Sequence, residues 1–161
     1  MAAPKKSKDF KSGMQLFVDN GTELYEVKSF FDMAMPDLSQ DTIDTTTIDQ
    51  DEFMTSQYSN MKKLGESSIS LQLEEGNTSH DDLLQDAIAN KQVTIYVGSA
   101  HSKDLATKVD AEVTLPTTRD WYEFNIQLGT PKPPVADKGG LNTHEIPYLA
   151  NSFNRTGRVI A

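Results

Sequence analysis

Ser67-Ser68-Ile69-Ser70-Leu71-Gln72-Leu73-Glu74, then Glu75-Gly76-Asn77, then Thr78 through Ile88, then Val93-Thr94-Ile95-Tyr96-Val97 is the run of sequence that decides the fold. Its first part alternates, so Ile69, Leu71 and Leu73 share one face of a half-buried strand. Glu75-Gly76-Asn77 breaks that strand, and Thr78 or Ser79 is placed to cap a helix, with Asp82 three residues after Ser79. Asp81 and Asp82 lie where the helix dipole favours negative charge. Leu83, Leu84, Ala87 and Ile88 follow at helical spacing and form one apolar stripe. Asn90 tolerates the left-handed conformation that ends helices, and Val93–Val97 resumes as strand. One short amphipathic helix, near 79–90, therefore lies on a scaffold that is otherwise strand and loop.

Outward from that unit the β signals repeat. Met14–Val18 reads as a strand and Asp19-Asn20-Gly21 as a turn. Thr22 to about Ala34 reads as one long strand whose alternation slips at Phe30-Phe31, the mark of a bulge. Six acids and no base lie between Asp37 and Glu52, among β-favouring Thr and Ile, so parts of that stretch are compatible with extended strand. Phe53–Gly65 has no period and reads as a long loop, which inside a compact domain is unusual and often functional. Ser99–Asp110 reads as a polar link and Ala111–Leu115 as a strand stopped by Pro116. Trp121–Leu128 is the clearest strand: Tyr122, Phe124, Ile126 and Leu128 face one side, Glu123, Asn125 and Gln127 the other. The divisions are a basic arm at 1–13, a β domain at 14–129, and a Pro/Gly-containing arm at 130–161. The second arm carries too many apolar residues for a plain disordered tail.

Composition narrows the function. Of 161 residues 24 are acidic and 15 basic, a net charge of −9, which argues against a general nucleic-acid-binding surface. There is no cysteine, and no apolar run approaches the roughly 20 residues of a membrane span. The lysines near the N-terminus precede no apolar segment, so a secretory signal is not expected; the expectation is a soluble protein made in a cytoplasm. His80, His101 and His144 are scattered, and the acids beside His80 are accounted for by a helix N-terminus without a metal. No Gly-x-Ser-x-Gly elbow, phosphate-binding glycine loop or calcium-loop spacing occurs. The reading is no enzyme, no cofactor and no metal.

The order of elements resembles the tail tube proteins of long-tailed bacteriophages with non-contractile tails. The resemblance rests on the strand through Leu24–Val27, the Asp41-x-Ile43-Asp44-x-Thr46 segment and the long loop after it. The strand–helix–strand unit, the Trp121-Tyr122-Glu123-Phe124 strand and the trailing segment complete it. Met61-Lys62-Lys63-Leu64-Gly65 stands where a glycine-rich stretch is expected. The resemblance implies a β-sandwich or partial barrel with one flanking helix, a long loop and extended arms. It implies six copies to a ring, with rings stacked into a hollow conduit for DNA ejection. The implied partners are the chain itself, tail-tip and head-proximal tail proteins and a tape-measure protein in the lumen; DNA passes without specific binding, no membrane is involved, and the location is the virion tail. The alternative is a monomeric β-sandwich binding module, for example for carbohydrate, with Trp121 and the tyrosines as stacking surfaces.

Within the tube reading two residue sets follow. Apolar side chains outside the regular core elements are candidates for subunit contact: Phe53, Met54, Tyr58, Met61, Leu141, Ile146, Tyr148 and Phe153. The polar faces of the two best strands are candidates for the lumen: Ser68, Ser70, Gln72, Glu74, Glu123, Asn125 and Gln127, with no Lys or Arg among them.

Overall fold

The computed structural model describes residues 14–28, 30–33, 35–48, 53–72, 76–134 and 143–160. The strands are β1 (Gln15–Asp19), β2 (Leu24–Val27), β3 (Phe30–Met33), β4 (Leu38–Asp44), β5 (Ser56–Leu64), β6 (Glu66–Gln72), β7 (Gln92–Gly98), β8 (Thr107–Val109), β9 (Glu112–Thr114), β10 (Trp121–Leu128) and β11 (Thr143–Thr156). The helix α1 (Thr78–Ile88) lies between β6 and β7. Seven strands form one antiparallel sheet in the order β2-β1-β7-β10-β11-β6-β3. That sheet curls into a half-barrel, so of the two mainly β arrangements expected, the partial barrel is the one adopted.

The stretch from Thr22 to Ala34, expected as one strand, is two. β2 and β3 lie at opposite edges of the sheet, although only two residues separate Val27 from Phe30. The expected irregularity at Phe30-Phe31 is present as a register shift in the β3–β6 pairing. Asp19-Asn20-Gly21 makes the β1–β2 turn. The Asn20 side-chain oxygen accepts from the backbone N–H groups of Thr22 and Glu23, and Gly21 supplies the positive φ of 90° that the turn requires.

The concave face of the sheet holds the main core. Leu16 and Val18 of β1, Ile69 and Leu71 of β6, Val93, Ile95 and Val97 of β7, Phe124, Ile126 and Leu128 of β10 and Ile146 and Tyr148 of β11 are buried there with Leu83 and Ala87 of α1. Asn77, rather than Thr78 or Ser79, caps the helix: its side chain accepts from the Ser79 N–H at 3.2 Å. The same corner is tied to the chain between β2 and β3, because the Lys28 N–H donates to Ser79 Oγ at 3.2 Å and Asn77 Nδ2 donates to the Lys28 carbonyl at 3.3 Å. His80, buried, also bonds that carbonyl. At the other end of α1, Asp86 accepts from the Tyr25 hydroxyl at 2.9 Å and pairs with Lys91, while Asn90 takes the left-handed φ of 51° expected of it. Burial, followed by the Asp86 charge, raises the Tyr25 phenol well above its ordinary value. The apolar stripe is narrower than its spacing suggests. Leu83 and Ala87 are fully buried and Leu84 half-buried, whereas Ile88 faces solvent because the helix lies over the sheet through its 83/87 edge.

A second, smaller cluster sits on the opposite face. Phe17, Tyr96 and Trp121 are covered there by Ala106 and by Val113 and Leu115 beside the β8–β9 hairpin, which lies within what reads in sequence as a polar link. Lys108 ties this hairpin to Asp19 at 2.8 Å. Trp121 packs against Phe17 with ring centres 5.6 Å apart, and the buried Arg119 guanidinium lies 5.0 Å over the indole. Gly98 lies beside it: a Cβ there would stand 2.5 Å from Arg119 Cζ and push the buried guanidinium aside.

Two stretches with little visible period are strands. Residues 143–156 of the expected C-terminal arm form β11, which joins β10 to β6 and puts Ile146, Tyr148 and Ala150 into the core. Alternation was present there, interrupted by Pro147 and preceded by prolines and glycines that read as a tail. Ser56–Leu64, expected as loop, is β5, paired with β4 in a two-stranded ribbon. The 1–13 arm and residues 135–142 lie outside the described residues.

Core depth sets two expected outcomes in chemical denaturation of the unassembled protein. Leu83→Ala, in a closed part of the core, should lower stability by about 2–5 kcal/mol, while Ile88→Ala stays within about 0.5 kcal/mol of the parent; equal losses would contradict this helix orientation. Gly98→Ala should cost about 1–3 kcal/mol through overpacking against Arg119 and shift the fluorescence of the sole tryptophan, whereas an unchanged spectrum and midpoint would show that the guanidinium yields freely.

Candidate self-assembly surfaces

Two surfaces remain after the core is accounted for. The first is the β4–β5 ribbon. The β3–β6 ladder continues through the Gly65 N–H, which donates to the Asp37 carbonyl at 2.9 Å, into the Leu38–Leu64 pair and on to Asp44–Ser56. Near its tip the Thr45 N–H donates to the Thr55 carbonyl, and the Asp44 carboxylate accepts from the Thr46 N–H at 2.9 Å. Those Thr46 bonds hold the Asp44 carboxyl below its ordinary value. Every residue of β4 is exposed, as are all of β5 but Ser59 and Leu64. A two-stranded ribbon without a packed face is marginal in water. This one nevertheless displays Leu38, Ile43, Ile48, Phe53, Met54, Tyr58 and Met61, with Phe53 78% and Met61 77% exposed. The lack of period in 53–65 has a simple origin: apart from Leu64 at its base, which packs against the core, neither face of the ribbon is covered, so nothing selects an apolar side.

Four of the eight candidate contact residues, Phe53, Met54, Tyr58 and Met61, thus lie on one exposed projection. Phe153 is separate. It lies on β11, 42% exposed, stacked on Tyr122 with ring centres 6.4 Å apart and tilted against Phe124 at 5.0 Å. Ile146 and Tyr148 are corrections: at 0% and 2% exposure they are core side chains, so neither presents a surface to a neighbour. Leu141 lies outside the described residues. Leu38, Ile43 and Ile48 were missed because they fall within the acidic run; β-favouring Thr and Ile inside that run were the available signal.

The second surface is the face of the seven-stranded sheet opposite the core. Directly opposed residues in antiparallel strands share a face. Ser68, Ser70 and Gln72 oppose Pro147, Glu145 and Thr143. Gln127 lies between Leu149 and Gln92, Asn125 between Ser152 and Thr94, and Glu123 between Asn154 and Tyr96. Six of the seven polar-face candidates therefore share one surface of one sheet, exposed or half-exposed; Glu74 is outside the described residues. Thr94 Oγ1 donates to Asn125 Oδ1 and Asn125 Nδ2 to Ser152 Oγ, each at 2.8 Å, a hydrogen-bonded row across three strands. The cations bordering this face are paired, Lys132 with Glu145 at 3.2 Å and Lys108 with Asp19. Burial, with Glu123 and Asp19 nearby, pushes the Tyr96 phenol up to about 12, so it stays neutral. Gln92, Thr94, Glu145, Ser152 and Asn154 extend the face; the β11 members were illegible once that strand was read as an arm.

Trp121 is 1% exposed and its indole N–H donates to the Pro116 carbonyl at 2.8 Å, so it offers no stacking surface. Among the described residues no group of three or more His, Cys, Asp or Glu is disposed to hold a metal ion, and no helix is long and apolar enough to cross a membrane.

Comparison with known proteins agrees with a structural part. No curated protein sequence gives a significant match. Among solved structures, a chain of the anti-feeding prophage baseplate, sixfold symmetrised, superposes with a TM-score of 0.63 at 6% identity, covering 98% of each chain. A chain of the sheath/tube terminator of an extracellular contractile injection system in its extended state does so with a TM-score of 0.63 at 14% identity, again covering 98% of both. The cap that terminates the tube of the anti-feeding prophage gives 0.61 at 14% identity, covering 98% of this chain and 95% of that one. At such identities these likenesses establish the shared fold. The sequence profile described as phage tail tube, TTP, lambda-like matches residues 8–128, and the chain belongs to that family of tail tube proteins.

Proposed function

We propose that this chain is the repeating subunit of a non-contractile phage tail tube, polymerising head-to-tail as stacked rings into a hollow conduit through which the genome leaves the head. Six copies per ring is the number implied by the lambda-like resemblance. The observation that carries the reading is the β4–β5 ribbon: a family member of a tube-forming class bears a projecting ladder whose apolar side chains its own fold leaves uncovered. A contact that does not close along its axis generates a filament from one kind of subunit. The ends of such a tube would meet head-proximal and tail-tip proteins, and its bore would hold a tape-measure protein before ejection.

The polar sheet face is suited to the bore. It is built mostly from Ser, Thr, Asn, Gln and a few acids, with Pro147, Leu149 and Tyr96 among them, and Lys132 and Lys108 at its border are engaged by carboxylates. DNA adheres to proteins through Lys and Arg contacts that release counterions; a wall offering none lets a polyanion slide. Acidic groups such as Glu123 add repulsion.

Negative-stain electron microscopy of the purified protein tests the central claim: rods or stacked rings are expected, and a persistent monomer at high concentration would favour a binding module instead. The combined change Phe53→Ser, Met54→Ser and Met61→Ser should leave the melting temperature of the unassembled chain unchanged while abolishing rods; normal polymerisation would remove the ribbon from the assembly surface. Gln72→Lys and Gln127→Lys should each leave rods intact but slow DNA delivery, most at low salt, because every ring repeats the new phosphate contact. Parental delivery rates across salt for both variants would put this face on the outside of the tube.

A further inference from the structure

The ribbon and the start of β1 leave the same end of the sheet. Gln15 opposes Gly98, Gly98 opposes Trp121, and Trp121 opposes Thr156, so β1 begins at the Thr156 end of β11. β6 runs antiparallel to β11 with Glu66 opposite Leu149. Followed backwards through Gly65 into β5, it heads towards that same end. The two segments are chemically complementary. β4 carries Asp41 and Asp44, with Asp37 just before it, beside exposed Ile43 and Tyr58 of the ribbon and Met54 of its tip; the stretch from 37 to 52 holds six acids and no base. The Asp44 carboxyl is held ionised by its Thr46 bonds and among the described residues is paired with no cation, whereas Asp41 is engaged by Lys63. Residues 1–13 carry Lys5, Lys6, Lys8 and Lys11 against Asp9 alone, with Phe10 among them, in a chain whose net charge is −9.

We infer that residues 1–13 of one copy dock on the acidic, apolar β4–β5 ribbon of a neighbouring copy, and that this contact rests on the assembly proposed above. Copies of a strongly acidic chain repel one another on approach, and the 1–13 segment is where an excess of positive charge is concentrated in the sequence. Its lysines oppose that repulsion, and Phe10 meets the uncovered ribbon side chains. Thirteen residues span up to about 47 Å when extended, enough to cross from β1 of one subunit to a ribbon beside it. Because both segments leave one end of the sheet, the arm meets the ribbon of a copy at its side rather than of a copy stacked on the far end.

The chain contains no cysteine, so engineered disulfides report this contact without background. Chains carrying only Ser7→Cys are mixed with chains carrying only Gln57→Cys, which is exposed on β5, and oxidised; peptide mapping is expected to find a 7–57 disulfide whose yield falls as salt rises, because salt screens the attraction that brings the two thiols together. Joint replacement of Lys5, Lys6, Lys8 and Lys11 by Glu should raise the concentration needed for rod formation by about tenfold or more, with the melting temperature of the unassembled chain unchanged. If the mixed chains give no 7–57 link, or if a doubly substituted chain links only within itself, the arm does not act between copies. Parental rods that persist at the same concentration after charge reversal would also overturn the inference while leaving the tube reading intact. Absence of rods from the parental protein would overturn both.

Discussion

Two residues between Val27 and Phe30 constrain this whole molecule. They join strands that occupy opposite edges of a seven-stranded sheet. Laid flat, six gaps of roughly 4.8 Å would hold those edges about 29 Å apart, whereas three Cα steps reach at most about 11 Å. The sheet has to curl until its edges approach at that corner. Curling makes one face concave and fills it with the Val, Ile, Leu and Phe side chains of β1, β6, β7, β10 and β11. It also gives α1 a place to sit, with its capping residues bonded to Lys28 at the corner itself. The convex face needs little apolar residue and carries little outside the Trp121 cluster.

The same closure decides what is left over. β3 and β6 form one side of the curl, but the ladder they start does not stop where the barrel does. It runs on as β4 and β5, beyond any surface that could cover it. A subunit of this design has a body that is complete in itself and an appendage that is not. The complete part presents a largely polar sheet face. The incomplete part supplies a reason to associate, because its exposed Phe, Tyr and Met side chains lose water contact only against another molecule.

Much of the body was legible in sequence because packing imprints a period. Alternation over 68–73 and 121–128, the helical stripe of α1, the Asn-Gly turn and the left-handed Asn90 all carry local signals tied to burial or backbone geometry, and the structure agrees with each over its described residues except at Ile88, which leaves the stripe for solvent. What escaped notice lacked such a signal or was masked by a stronger one. β4 and β5 leave all but Ser59 and Leu64 exposed, so no period marks them. β11 alternates correctly at Ile146, Tyr148 and Ala150, yet Pro147 and the upstream prolines suggest a tail. The split of β2 from β3 is a tertiary fact: both halves are good strands, and nothing local says they belong to opposite edges. The functional surfaces divide in the same way. The polar face was readable as the reverse of the buried one, whereas Ile146 and Tyr148 were assigned outward because the strand that buries them went unseen.

β11 has a further consequence, for the order of events while the chain is being made. Without it the sheet is two disconnected pieces, β2-β1-β7-β10 and β6-β3. The ribbon is anchored to the second piece, the smaller one, and emerges from the ribosome well before residues 143–156 do. A nascent chain therefore displays its sticky appendage on an unsupported base, and a rigid platform arrives only when the late strand is inserted between β10 and β6. Support of the ribbon by the whole sheet thus waits on translation through β11.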